Sequence, residues 1–179
     1  MPRVLSQLLL TACALLALTA CDDIGAEPME TVPYVDLERF MGPWFVLANI
    51  PTFLEKDAYN PVEHYELNPD GTIATTFTFN QGSFDGPLKV YHPKGFVKDT
   101  TTNARWGMQF LWPIKADFRI IYLADDYSLT VIGREKRDYV WVMGRTPELS
   151  DADFERMKAF IESVGYDPSK LQRCPHQAS

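Results

Sequence analysis

Tyr139-Val140-Trp141-Val142-Met143-Gly144-Arg145-Thr146-Pro147 is the stretch that decides the fold. Successive side chains of a strand point to opposite sides. Tyr139, Trp141 and Met143 therefore share one face, and Val140 and Val142 the other. Both faces are apolar, so both must be covered. Residues 44–50 behave the same way: Trp44, Val46, Ala48 and Ile50 oppose Phe45 and Leu47. Between 43–50 and 138–145 lie six more short runs rich in aromatic and β-branched residues, at 61–67, 72–79, 87–92, 104–112, 117–124 and 127–133. Turn residues separate them, among them Asp70-Gly71, Asp85-Gly86, Asp125-Asp126 and Arg134-Glu135-Lys136-Arg137.

Inner runs alternate more cleanly. Ile73, Phe77 and Phe79 face away from Ala74, Thr76 and Thr78. Trp106, Met108, Phe110 and Trp112 share a face, as do Phe118, Ile120 and Tyr122. No helical pattern interrupts the runs, so the sheet is antiparallel and joined by hairpins. The fold class is all-β: an eight-stranded antiparallel up-and-down barrel, in which the first strand pairs with the last and no edge is left open. One C-terminal helix, at about 150–164, packs outside. Ser150 is its N-cap, Asp151 and Asp153 suit the helix dipole, and Gly165 suits the C-cap. Its stripe of Phe154, Met157, Phe160, Ile161 and Val164 would cover the outer faces of the first and last strands.

Before the barrel, residues 4–20 are uncharged and follow Arg3, and the run ends in Leu18-Thr19-Ala20-Cys21. A basic start, an apolar middle and a small-residue end make a secretory signal. With Cys at the cut it resembles a bacterial lipoprotein signal, which implies a signal peptide at 1–20 and lipidation of Cys21. Two other readings stand beside this one. A membrane-spanning helix needs ~20 apolar residues, and here the uncharged stretch has 17. A plain cleaved signal wants a small residue where Leu18 stands. Residues 21–33 then read as the lipidated Cys and an acidic, proline-containing tether, and 34–179 as the folded domain with its helix and a short tail.

Without the first 20 residues, 159 remain, with 16 Lys+Arg against 24 Asp+Glu and a net charge of −8. An acidic chain has no electrostatic footprint for nucleic acid, and membrane attachment would come from acyl chains rather than from charge. Cys174 stays without a disulfide partner, and no Cys/His spacing suits zinc. No metal or cofactor is expected. A lone tail cysteine reads as a tolerated residue, with a reactive thiol or an intermolecular bridge as the alternatives. A homodimer is left open.

Several residues carry a family resemblance. Gly42-Pro43-Trp44 resembles the Gly-x-Trp signature of lipocalins. Ala48-Asn49-Ile50-Pro51 is similar to the first-strand ending of bacterial lipocalins, apolipoprotein D and plant temperature-induced lipocalins. Leu111-Trp112-Pro113 with Asp117-Phe118 resembles their fifth-to-sixth strand passage, and 139–147 their closing Tyr-x-Trp-x-x-x-Arg-x-Pro. Glu63-His64 departs from the pattern, since a smaller pair is more usual there. The resemblance implies structural roles for Gly42, Trp44 and Arg145, with Trp44 closing the barrel floor and Arg145 across its ring. It also implies a long-chain apolar ligand, a fatty acid or lysophospholipid, for lipid storage, transport or membrane maintenance. The place would be the cell envelope, lipid-anchored and facing the periplasm: the outer membrane by resemblance, the inner by Asp22 after Cys21.

An eight-stranded barrel holds one small ligand. On alternation, the inward candidates are Val46, Ala48, Ile50, Tyr65, Phe77 and Phe79, followed by Val90, Met108, Phe110, Tyr122, Trp141 and Met143. A bulge would shift any of them to the other face, and some would only fill the barrel. No Gly-x-Ser-x-Gly or His-Glu-x-x-His occurs, and His64, His92 and His176 are scattered. A binding protein, not an enzyme, is expected. The alternatives are an enzyme on the same fold acting on a lipid or isoprenoid, and an anchored interaction module with a filled barrel.

Overall fold

A computed structural model describes residues 27–177. The signal, Cys21 and the first part of the tether lie outside them. Ten strands run β1 (Gly42–Ile50), β2 (Ala58–Leu67), β3 (Thr72–Gln81), β4 (Leu88–Tyr91), β5 (Lys94–Val97), β6 (Arg105–Leu111), β7 (Ile114–Leu123), β8 (Leu129–Gly133), β9 (Val140–Gly144) and β10 (Gln172–Arg173). All pairings are antiparallel, and β1 pairs with β9, closing the barrel. The fourth expected strand, 87–92, matches β4 alone, and β5 extends it beyond the expected bounds. β4 and β5 both pair with β3 in one continuous register, Phe77 with Tyr91 and Thr72 with Phe96. The break falls at His92-Pro93, where proline has no N–H to give the ladder. The eight-stranded barrel thus stands, with one strand interrupted.

Helix α1 (Leu37–Phe40) is a single turn capped by Asp36, whose side chain accepts from the Arg39 amide. It carries Phe40 into the barrel bottom. Helix α2 (Asp151–Ser163) starts where Ser150 caps it, and the chain leaves through Gly165 at φ +92°, a conformation glycine adopts without strain. Met157 and Ile161 are buried against Leu47, Ala48, Ile50, Val131, Val140 and Val142, on the outer side of β1, β8 and β9. This is the cover that the doubly apolar strands require.

Two segments depart from the reading of the sequence. Residues 27–33, read as tether, lie on the barrel. Arg137 Nη2 donates to the Glu27 carbonyl at 2.6 Å, Arg119 Nη1 to the Met29 carbonyl at 3.0 Å, and the Val32 amide to the Ile120 carbonyl at 3.0 Å. Met29 is buried, since its apolar side chain finds room beneath Tyr166. The tail is not loose either. β10 pairs with Ala48 and Asn49 of β1, and the Cys174 amide donates to the Leu47 carbonyl. The Asn60 amide of β2 donates to the Pro175 carbonyl. β1 and β2 pair only over 42–45 with 65–62, and the tail fills the gap beyond.

Candidate functional site

The closed end is built of aromatic rings. Phe40, Trp44, Tyr65 and Trp106 are almost wholly buried, and Trp106 stacks on Phe118 at 4.9 Å with the rings 7° apart. Trp44 Nε1 donates to the Phe40 carbonyl at 2.8 Å. The Arg145 guanidinium lies 3.8 Å from the Trp44 ring centroid, a cation–π arrangement. Its donors reach the carbonyls of Pro43 (2.7 Å), Arg39 (2.8 Å) and Phe40 (3.2 Å). Gly42, at φ +90°, lies beneath Arg145: a Cβ there would stand 3.5 Å from Nη1. The three signature residues form the floor.

Above the floor is a cavity of about 310 Å³. Of the residues expected to point inward, Tyr65, Phe77, Met108, Phe110, Trp141 and Met143 line it. Val46 and Phe79 are buried in the inner core but do not line the cavity. The other four are corrected. A bulge between Val46 and Ala48 reverses the faces of β1, so Ala48 and Ile50 pack outward under α2. A second bulge, between Ile120 and Tyr122, turns Tyr122 outward against Phe160 at 5.4 Å. Val90, paired with Thr78, is 45% exposed on the barrel's outside.

Alternation did not reach the rest of the lining. Ile114, Ala116, Phe118 and Ile132 add apolar wall, and Asp117, Arg134 and Tyr139 add polar groups to it. The loop at 52–57 folds inward and brings Glu55, which is only 6% exposed. Trp141 Nε1 donates to Glu55 Oε1 at 2.5 Å, and the Thr52 hydroxyl and amide donate to Oε2 at 2.7 and 3.1 Å. Glu63, on β2, lines the cavity with its stem, and its Oε2 is enclosed without a partner. Burial, reinforced by the Glu55 carboxylate, pushes the Glu63 carboxyl up to about 8. Burial also raises Glu55, against its hydrogen bonds from Thr52 and Trp141. Cys174 packs against the inner core from the tail, and burial holds its thiol up at about 12. It belongs to the barrel wall rather than to a free end. Among the described residues, no group of three His, Cys, Asp or Glu is placed to hold a metal ion.

The open end has an apolar rim. Phe53 is 85% exposed, and Leu111, Trp112 and Ile114 at the β6–β7 hairpin tip are 74%, 85% and 68% exposed. Three of these four also line the cavity, so wall and rim are continuous. The β8–β9 turn, with Arg134 and Tyr139, stands at the same end. Arg137 of that turn holds Glu27, so the described chain begins beside the mouth.

The chain is 29% identical over 159 residues to temperature-induced lipocalin-1 of Arabidopsis thaliana, covering 82% of each chain. It is 24% identical over 171 residues to the outer membrane lipoprotein Blc of Escherichia coli (strain K12), covering 94% of this chain and 95% of that one. Its fold superposes on insecticyanin from the tobacco hornworm Manduca sexta with a TM-score of 0.65 at 14% identity, covering 84% and 85%. Residues 35–176, nearly the whole described barrel, match the lipocalin-like domain, and the chain belongs to the lipocalin family.

Proposed function

We propose that this protein captures the acyl chain of a single-chain membrane amphiphile, a fatty acid or lysophospholipid, and holds it for storage, carriage or repair of membrane lipid. The observation that carries this reading is the apolar cavity, open at one end and continuous with an apolar rim. Its volume is at the small end of ligand pockets, which run from ~300 to 1,000 Å³, and suits one chain better than two. Membership of a family whose barrels enclose hydrophobic ligands supports the same reading, and the protein acts by binding, not catalysis.

The proposal includes a signal peptide at 1–20 and a lipid anchor on Cys21. Six residue steps separate Cys21 from Glu27, which reach about 20 Å when extended. Since Glu27 is held beside the mouth, the anchor would keep the open end turned toward the bilayer. Outer membrane placement follows the similar lipoproteins, with the barrel on the periplasmic side. The test is mass spectrometry of lipids that co-purify with the protein. Single-chain amphiphiles at close to one per protein are expected. A preparation carrying none, or only two-chain lipids in bulk membrane proportions, overturns the reading.

A further inference from the structure

We propose that the cavity wall holds a subsite for a protonated primary amine, formed by Glu63, Glu55 and Tyr65, and that single-chain amines are the preferred ligands. This rests on the reading of the cavity as an amphiphile site and refines its headgroup chemistry. Glu63 Oε2 is enclosed, unpartnered and on a side chain that lines the cavity. A buried polar atom without a partner is costly, and a buried charge needs a counter-charge. Glu55 stands close enough for its charge to act on Glu63, and the Tyr65 phenol is beside the same carboxyl. Glu55 accepts from Trp141 and Thr52, yet a carboxylate offers about four acceptor positions, so it has capacity left.

Among the described residues, no lysine, arginine or histidine forms an ion pair with Glu55 or Glu63. The titratable groups facing this pair are Tyr65 on the same strand and Cys174 from the tail, beside Glu55. Asp117, Tyr139 and Arg134 also line the cavity, the Tyr139 ring 6.4 Å from that of Trp141. Arg134 Nε lies 3.4 Å from Asp138, an ion pair without a hydrogen bond, and Asp117 is held by Arg119 at 3.0 Å. An ammonium, with three donors and one positive charge, supplies what two carboxyls and a phenol lack. A neutral alcohol supplies one donor and no charge, and a carboxylate brings a negative charge and no donor. A fatty acid with its head at the mouth leaves the subsite unused.

Amine binding also moves a proton. Burial and Glu55 keep Glu63 protonated near neutrality. An ammonium favours the ionised carboxyl, so its arrival expels that proton and binding tightens as pH rises toward 8.

The experiment is calorimetric titration of the purified protein with dodecylamine, dodecanol and dodecanoate, each below its aggregation concentration, in two buffers of different ionisation enthalpy. Dodecylamine should bind about tenfold tighter than dodecanol, the gain of a charged hydrogen bond, and release close to one proton at pH 7. Glu63→Gln should abolish that gain and the proton release, with far-UV circular dichroism showing that the variant is folded. If Glu63→Gln does not fold, proton release by the unaltered protein decides. Amine binding no tighter than dodecanol, without proton release, overturns the subsite while leaving the amphiphile reading intact. Failure of all three ligands to bind overturns both.

Discussion

Replacing Trp44 by alanine removes the centre of the barrel floor. The indole is fully buried, is 5.0 Å from the Phe40 ring and lies under Arg145 at 3.8 Å. Truncating a buried Trp costs about 3–5 kcal/mol. The cation–π contact adds about 0.5–1 kcal/mol at a half-exposed arginine. The Phe40 carbonyl loses the indole N–H but keeps Arg145 Nη2, so no buried acceptor is orphaned and no further penalty accrues. The loss is therefore about 4–6 kcal/mol, a large part of the ~5–15 kcal/mol that holds a domain together. At about 2–4 °C per kcal/mol for a domain of this size, the melting temperature should fall by about 8–24 °C. Thermal and urea unfolding of the two proteins, followed by far-UV circular dichroism, measures this. Trp44→Phe, which keeps most of the packing but not the N–H, should lose far less. A Trp44→Ala variant melting within about 3 °C of the parent would refute the floor assignment and the packing argument behind it.

Three further outcomes are expected. Glu63 holds its proton up to about 8 when folded, whereas an unfolded glutamate ionises near 4.3. Folding therefore takes up protons in that window, and stability falls as pH rises from about 4.5 to 8 and then levels. Urea midpoints at pH 5 and pH 8 should show the decline, and Glu63→Gln should make it shallower, with Glu55 contributing the rest in the same direction. Met108→Trp, on the cavity wall, should reduce acyl-probe affinity about tenfold or more with a small change in melting temperature, since the added ring occupies ligand space; unchanged affinity would place the ligand elsewhere. Cys174, half-buried and held protonated, should react slowly with iodoacetamide at pH 8 in the folded protein and faster in urea, as read by peptide mass spectrometry. Fast native labelling would contradict its place in the barrel wall.

How much of this was legible in the sequence follows from what alternation can and cannot report. Most strand positions, though not β5 at 94–97, closure by the first and last strands and the covering helix were readable, because Tyr139–Met143 and 44–50 are apolar on both faces and 150–164 carries one stripe. The same property hid the bulges. Where both faces are apolar, shifting parity by one residue replaces one hydrophobic side chain with another, so Ala48 and Ile50 gave no sign of facing outward. Glu55 was equally hidden: a glutamate in a loop reads as solvated, and only its spacing from Thr52 hints at the local hydrogen bonds that turn it inward. Glu63 was visible as a departure from the family pattern, but Glu55, whose charge acts on it, came to it only through tertiary structure. The tail's insertion between β1 and β2 had no local signature at all. It depends on the bulged ends of two distant strands leaving backbone groups that residues 172–177 satisfy.

The central claim is that the barrel binds an amphiphile in its cavity, against Trp141. Titration of the delipidated protein with a fluorescent long-chain acyl probe, monitored by tryptophan quenching, tests it most directly. Saturable quenching at micromolar probe, lost in Trp141→Phe and weakened in Met108→Trp, is the predicted result. Quenching that never saturates, or that both variants leave unchanged, would contradict it.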